Sequence, residues 1–290
     1  MRVVVMGGGI AGLSAALALG RRGHKVVVLE RDRSAGPGDP RRAFGTWSRP
    51  GVGHFRQPHN FLGAGRRALR QHAPDVYARL RDAGASHIDQ SALATGPRLA
   101  GDDDLALIAC RRPVFEAALR VAVAAEPTVH LTTGALVDGL AVAAGRAGTA
   151  RVGGVRIGDS AVAADLVIDA LGRNSRAPAW LRRAGVRLPP PQRSDCGIVY
   201  FSRHFQARPG RALPSGPYIL GGPRGDLGYL AFAIFVGDDQ TFCLAIMVGA
   251  GDAELKALRH PVAYMAAAAS LPGVAAWIDP GTARPISDVL

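Results

Sequence analysis

Three glycines and one acid set the first chemical expectation: Gly7, Gly9 and Gly12 stand in a Gly-x-Gly-x-x-Gly pattern, and Glu30 follows 18 residues after Gly12. Glycine lets the backbone turn where a side chain would block it, and it lets a pyrophosphate approach the main chain closely. An acid about 20 residues on is spaced to accept hydrogen bonds from a ribose. Together these residues are suited to holding a dinucleotide. Alone the glycine pattern is weak evidence; its meaning depends on what surrounds it.

The surrounding elements are the ones such chemistry needs. Val3 to Met6 is an unbroken apolar run, as expected of a parallel strand buried on both faces. Ile10 and Ala11 open a helix in which Ile10, Leu13 and Leu17 recur at helical spacing. That helix would aim its N-terminus at a phosphate. Arg21 and Arg22 suit its C-terminal end and Gly23 its stop, and Val26 to Leu29 supplies a second strand ending at Glu30. A secretion signal over residues 3 to 20 is the competing interpretation, but Gly7, Gly8 and Gly9 interrupt the apolar core that a signal requires.

Composition narrows the classes. The chain has 290 residues, 48% hydrophobic content and a formal net charge of +12. That charge is almost wholly arginine, with Lys only at 25 and 256, and it is scattered along the chain without interleaved aromatics. We expect no nucleic-acid face. Cys110, Cys196 and Cys243 form no CxxC pair, so neither a disulfide framework nor a zinc site is expected, and a reducing cytoplasm fits. No metal site is assigned: HExxH is absent, and His54 with His59 is ascribed to a loop. GxSxG and GxxxxGK are also absent. The uncharged run from Pro261 to Ile278 holds Pro272 and Gly273 and makes a poor membrane span.

Further along, residues 31 to 60 form a long loop rich in Gly, Pro and Arg. A helix is expected over Phe61–Ala83, and another in "CRRPVFEAALRVAVAAE" with Pro113 near its start. A strand at Val129–Thr132 follows. Residues 135 to 163 are expected to form a β-meander with glycine-containing turns near 145 to 148 and at Gly158-Asp159. "ADLVIDALGRNS" holds a strand ending at Asp169 and a turn with Gly172. After "LPPPQ" come three strands, "CGIVYFSRHFQ", "GYLAFAIFVG" and "TFCLAIMVG", the last two joined by a hairpin at residues 237 to 240. Ala253–Ala269 is expected to be helical. The expected fold class is α/β, a Rossmann-like domain with a meander over residues 1–187, joined to an antiparallel-sheet domain (α+β) over 188–290.

The order of these parts resembles FAD-dependent monooxygenases and oxidoreductases with the para-hydroxybenzoate hydroxylase fold, over essentially the whole chain. The resemblance implies that FAD is bound by Gly7, Gly9, Ile10, Ala11, Gly12, Glu30 and Arg31. It also implies an arginine before the mid-chain helix, Arg112 or its neighbour Arg111, and a middle motif in a loose form at Asp169 and Gly172. Arg41, Arg42, Arg49, Gln57 and His59 lie where relatives place an arginine and a loop near the flavin, and Arg42 is the first choice among them. The third flavin motif of the family is not found: Gly251-Asp252-Ala253 has the character of a helix cap. The expectation is a member that ends before that motif.

The implied activity is oxygenation of an apolar or aromatic small molecule with reduced flavin and dioxygen, with electrons from NAD(P)H or a separate flavin reductase. Tyr200, Phe232, Phe235 and Phe242 are candidate walls for the substrate, although alternate strand residues must face elsewhere. No catalytic acid or base is assigned, because the cofactor carries the difficult chemistry. Halogenation on the same fold requires a lysine and a Trp-x-Trp-x-Ile-Pro segment, and neither is present. Reduction of isoprenoid double bonds by a flavin is a further alternative, as is a non-catalytic nucleotide-binding remnant.

Overall fold

The computed structural model describes residues 1–144 and 149–290; the turn expected near 145 to 148 lies outside the described residues. In chain order the elements are β1 (Arg2–Met6), α1 (Ile10–Gly20), β2 (Lys25–Glu30), α2 (Ala43–Thr46), α3 (Gly63–His72), α4 (Pro74–Asp82), β3 (Ser86–Ile88), β4 (Leu107–Ala109) and α5 (Arg112–Ala124). They continue with β5 (Val129–Thr133), β6 (Gly139–Ala144), β7 (Ala150–Ile157), β8 (Ser160–Ala163), β9 (Leu166–Asp169) and α6 (Ala177–Arg183). The last are β10 (Ile198–Ala207), β11 (Gly221–Asp226), β12 (Leu230–Val236), β13 (Thr241–Gly249), α7 (Pro261–Ser270), α8 (Ala275–Ile278) and β14 (Ala283–Pro285). Contacts divide the chain into one unit of Met1–Phe55 with Phe115–Arg193, and another of Arg56–Val114 with Ser194–Leu290. The architecture is α/β with added antiparallel sheets, the expected class.

In the first unit β5-β2-β1-β9 form a parallel sheet. Successive residues of β1 alternate between its two faces: Val3 and Val5 pack with Ala16 of α1, while Val4 and Met6 pack with Val137, Val155 and Trp180. Burial on both faces is why this strand has no polar residue between Val3 and Met6. The meander β6-β7-β8 forms as expected, turning at Gly158, which has φ +58°.

The second unit is built on an antiparallel sheet in the order β11-β12-β13-β10-β14. One face carries Phe201, Phe205, Phe232, Ile234, Phe242, Leu244 and Ile246, packed against Tyr264 of α7 and Trp277 of α8. The hairpin at Gly237–Gln240 joins β12 to β13, with Asp239 and Gln240 at positive φ, 50° and 54°. Positive φ at both central positions matches the right-handed twist of flanking strands.

Two expectations are corrected, and one strand falls where none was expected. The helix over Phe61–Ala83 is two helices, broken at Ala73 (φ −145°, ψ 57°), because the ring of Pro74 disfavours helical backbone in the residue before it. The helix over Ala253–Ala269 is likewise a 3₁₀ turn at Leu255–Arg259 followed by α7, divided at the extended His260 before Pro261. Strand β11, "GGPRGD", was not expected from its glycines and proline; it lies at the sheet edge, where a missing N–H donor is tolerated.

Candidate functional site

Each glycine of the first turn answers a different demand. Gly7 has φ +105°, and a Cβ there would lie 2.5 Å from the carbonyl oxygen of Ala170. Gly12 sits so tightly that a Cβ would collide with the carbonyl oxygen of Gly7. Gly9 is the opposite case: its φ is −84° and a Cβ would meet nothing within 4 Å. Gly7 and Gly12 are therefore glycine for packing. Gly9 borders open space. It is also the N-cap of α1, with no side-chain cap and no acid in the first turn, so the positive end of the helix at Ile10 and Ala11 is left for an anion.

The strand pairing gathers the other sequence-predicted residues. Met6 pairs with Leu29 on one side and with Asp169 on the other, so Gly7, Glu30 and Asp169 all follow from neighbouring strand ends. Sequential order reverses at β1, and this is the position where open α/β sheets hold their ligands. Asp169 turns inward on its own loop, accepting from Ser175 Oγ at 2.5 Å and from the Leu171 N–H at 3.1 Å. Gly172 (φ +80°) again has open space where a Cβ would stand.

Glu30 is 4% exposed and heavily bonded. Its Oε2 accepts from the Gly8 N–H at 2.7 Å and from Arg49 Nη2 at 2.5 Å, while Oε1 accepts from the Asp32 N–H at 2.9 Å. Arg49 also donates to Asp32 at 2.8 Å, to Glu116 and to the Gly8 carbonyl at 3.1 Å. Arg120 of α5 reaches the same Gly8 carbonyl at 3.3 Å and lies over the Trp47 ring, 4.8 Å from its centroid. Burial first, then the neighbouring Arg49, pulls Arg120 down to about 10, which still leaves it charged at neutral pH. Three carboxylates and two guanidinium groups thus lock the Gly8 peptide from three parts of the chain.

The arginine loop is sorted by this cluster. Arg42 stays on the surface in the 3₁₀ turn at Pro40–Arg42, and Arg31 is exposed, donating to the Gly51 carbonyl at 3.0 Å. The loop arginine that reaches Glu30 is Arg49. Sequence reasoning ranked it no higher than its neighbours; the signal it missed was Trp47 two residues before, which anchors the loop on Phe55, Ala43 and Ala117.

In the second unit Arg111 and Arg112 are separated in role. Arg111 pairs with Asp238, and Arg112 places Nη1 3.4 Å from His59 Nε2. Of the four aromatic candidates on the antiparallel sheet, Phe232 and Phe242 belong to the buried face under α7 and α8. The register puts Tyr200 in line with Met247 and Ala231, and Phe235 in line with Cys243, on the opposite face. Tyr200 is 49% exposed. Gly251-Asp252-Ala253 behaves as a cap, Asp252 Oδ1 accepting from the Leu255 N–H at 2.9 Å. Among the described residues no His/Cys/Asp/Glu cluster could hold a metal ion, and no helix is long and apolar enough to cross a membrane.

Comparisons with known proteins bear on the fold and the family. PqsL of Pseudomonas aeruginosa, described as "a probable FAD-dependent monooxygenase", superposes with a TM-score of 0.65 at 16% identity over 99% of this chain and 73% of its own. The flavin-dependent halogenase CmlS gives 0.65 at 16% identity, over 100% of this chain and 48% of its own. At these identities the likeness is one of fold. In sequence, protein Rv3254 of Mycobacterium tuberculosis is 36% identical over 93 residues, 32% of this chain and 19% of that protein. A protein encoded beside nifH2 in Methanothermococcus thermolithotrophicus is 56% identical over 36 residues, 12% of this chain and 35% of that protein. The chain thus matches well under two thirds of the length of either curated relative. The model of the FAD dependent oxidoreductase family matches residues 2–176, from β1 to the turn before α6 that holds Asp169 and Gly172, and the chain belongs to that family.

Proposed function

We propose that this chain binds FAD and serves a monooxygenase acting on an apolar or aromatic small molecule. The observation that carries the reading is the open space over Gly9 at an uncapped helix N-terminus, beside an acid at the end of the adjacent strand. FAD, when bound, supplies the electron transfer to dioxygen. Ile10 and Ala11 at the start of α1 offer backbone N–H groups to the pyrophosphate, Gly9 allows its approach, and Gly7 and Gly12 let the turn pack tightly behind it. Glu30 Oε1 accepts one bond and retains acceptor capacity for a ribose hydroxyl. Gly172 opens the second turn, which Asp169 holds in shape. Arg31 and Arg42 are exposed and add only a diffuse positive field for an anionic ligand. Tyr200 and Phe235, on the sheet face away from α7, offer aromatic surface for a flat apolar substrate. NAD(P)H or a separate reductase supplies the electrons, and the free cysteines Cys110, Cys196 and Cys243 suit a reducing cytoplasm.

The test is to add FAD to the purified chain, remove the excess, and compare flavin absorbance with protein concentration for the wild type and for Gly9→Ala. Near-stoichiometric flavin in the wild type and little in the variant is the expected result. Oxygen uptake coupled to product then separates oxygenation from flavin-dependent reduction of double bonds. A wild type that retains no flavin at micromolar concentrations overturns the reading.

A further inference from the structure

The stretch "RALPSGPYILGG", residues 211 to 222, leads from β10 into β11 with two prolines and three glycines. Pro214 and Pro217 each fix a backbone angle, and the glycines allow close approach. A Cβ at Gly216 would lie 2.7 Å from the Tyr218 ring, and one at Gly221 (φ +86°) would lie 2.8 Å from Val236 and 2.9 Å from Ile88. The tyrosine ring is thus laid over its own loop, and it meets Trp277 at a centroid distance of 6.4 Å and an angle of 64°.

Between this loop, β3 and the β12–β13 hairpin lies a groove of about 420 Å³, wholly within the second unit. That is the size of a small-molecule site. Its apolar wall includes Ile88, Leu213, Val236 and Tyr218, with Trp277, 1% exposed, behind them. Neither Tyr200 nor Phe235 lines it.

The polar end of the groove is held by His87. Tyr77 Oη is bonded to His87 Nε2 at 2.6 Å, and the two rings stack at 5.8 Å and 12°, so the imidazole is fixed in place. Burial first, then the charges of Arg66, Arg81 and Arg70, hold His87 below its ordinary value, which marks a positive field at this end. Arg81 donates to the Ala85 carbonyl at 3.2 Å and Arg66 to the Asp103 carbonyl, neutral groups that do not cancel their charges. Asp89, the carboxylate that also lines the groove, is already answered: it accepts from the Ser91 N–H at 2.9 Å and pairs with Arg98 at 3.2 Å.

We infer that this groove binds a small aromatic carboxylate, its ring against Tyr218 and its carboxylate toward His87. A cationic ligand would meet the field of the three arginines, and an aliphatic one would leave the Tyr218 ring without a stacking partner. The site goes beyond the flavin reading and does not depend on it.

The test uses 2-naphthoate and its neutral amide, 2-naphthamide, with the purified chain. Calorimetry should show the acid binding about tenfold more tightly than the amide. Arg70→Gln combined with Arg81→Gln should remove that preference while amide binding stays unchanged. Tyr218→Leu should weaken both ligands about tenfold. Ser215→Trp, which fills the groove from an exposed position, should abolish binding. Among the indole N–H signals of Trp47, Trp180 and Trp277, the one lost in Trp277→Phe should be the one that moves on titration, since the other two belong to the first unit. No binding by the wild type, equal affinity for acid and amide, undiminished binding in Ser215→Trp, or movement of the Trp47 or Trp180 signal in place of that of Trp277 would overturn the inference. A wild type that retains no flavin fails the functional reading and leaves this result standing.

Discussion

Arg111 and Asp238, 127 residues apart, meet through both arms of the side chains: Nε lies 3.0 Å from Oδ1 and Nη2 lies 2.5 Å from Oδ2, while the Arg111 backbone N–H also reaches Oδ1 at 2.8 Å. Asp238 is fully buried, and it sits in the hairpin turn whose next residue donates its N–H to the Gly84 carbonyl at 3.1 Å. The pair ties the sheet's hairpin to the start of α5. It also removes Arg111 from any ligand and leaves Arg112 beside His59.

Removing one member of that pair strands the other charge in a buried place. Arg111→Ala and Asp238→Ala should each lower the stability of the second unit by about 3–5 kcal/mol, and the double variant by less than the sum. Urea unfolding of the four proteins checks this; additive losses would mean the two residues do not act as a pair.

The glycines of the first turn should separate by experiment. Gly12→Ala drives a Cβ into the Gly7 carbonyl and should lower the melting temperature sharply. Gly9→Ala meets no atom within 4 Å and should leave the melting temperature within a few degrees of the wild type while flavin retention falls. Equal thermal effects of the two substitutions would refute the distinction.

Arg49 and Arg42 should differ in the same way. Arg49→Ala leaves Glu30, Asp32 and Glu116 with Arg120 as their remaining cation in the cluster, a loss of about 3–5 kcal/mol by the usual effect of breaking a buried ion pair. Arg42→Ala, at an exposed position, should stay within about 0.5 kcal/mol. Thermal denaturation of both variants against the wild type is sufficient.

Burial pushes His204 down to about 4. The unfolded chain, with an ordinary value near 6.5, therefore takes up this proton first as the pH falls. Stability should decline between about pH 6.5 and pH 4, by about 3 kcal/mol in total from this group, and the contribution should level off below that range. His204→Asn should flatten the slope across this window. Identical slopes in the two proteins would show that the imidazole is not the group responsible.

Much of the site was legible because it depends on neighbours in sequence. A buried parallel strand, a turn that only glycine can make, an amphipathic helix and an acid at the next strand end lie within residues 2–30, and local backbone sterics with hydrophobic periodicity dictate each of them. The same holds for the hairpin at Gly237–Gln240. The two broken helices were misjudged because hydrophobic spacing runs smoothly through Ala73 and His260, while the steric effect of the following proline does not. Strand β11 was missed because its glycines and proline encode no propensity; only the pairing offered by β12 makes it a strand.

The sequence by itself thus determined the glycine turn between β1 and α1, the acid at the end of β2 and the separation of a parallel from an antiparallel sheet. It could not choose Arg49 over Arg42, or assign Arg111 to Asp238 and Arg112 to His59. Those choices are made by partners 17 to 127 residues away. Charge pairing over such distances depends on which groups the tertiary fold removes from water together, since only there does an unpaired charge cost enough to dictate its partner.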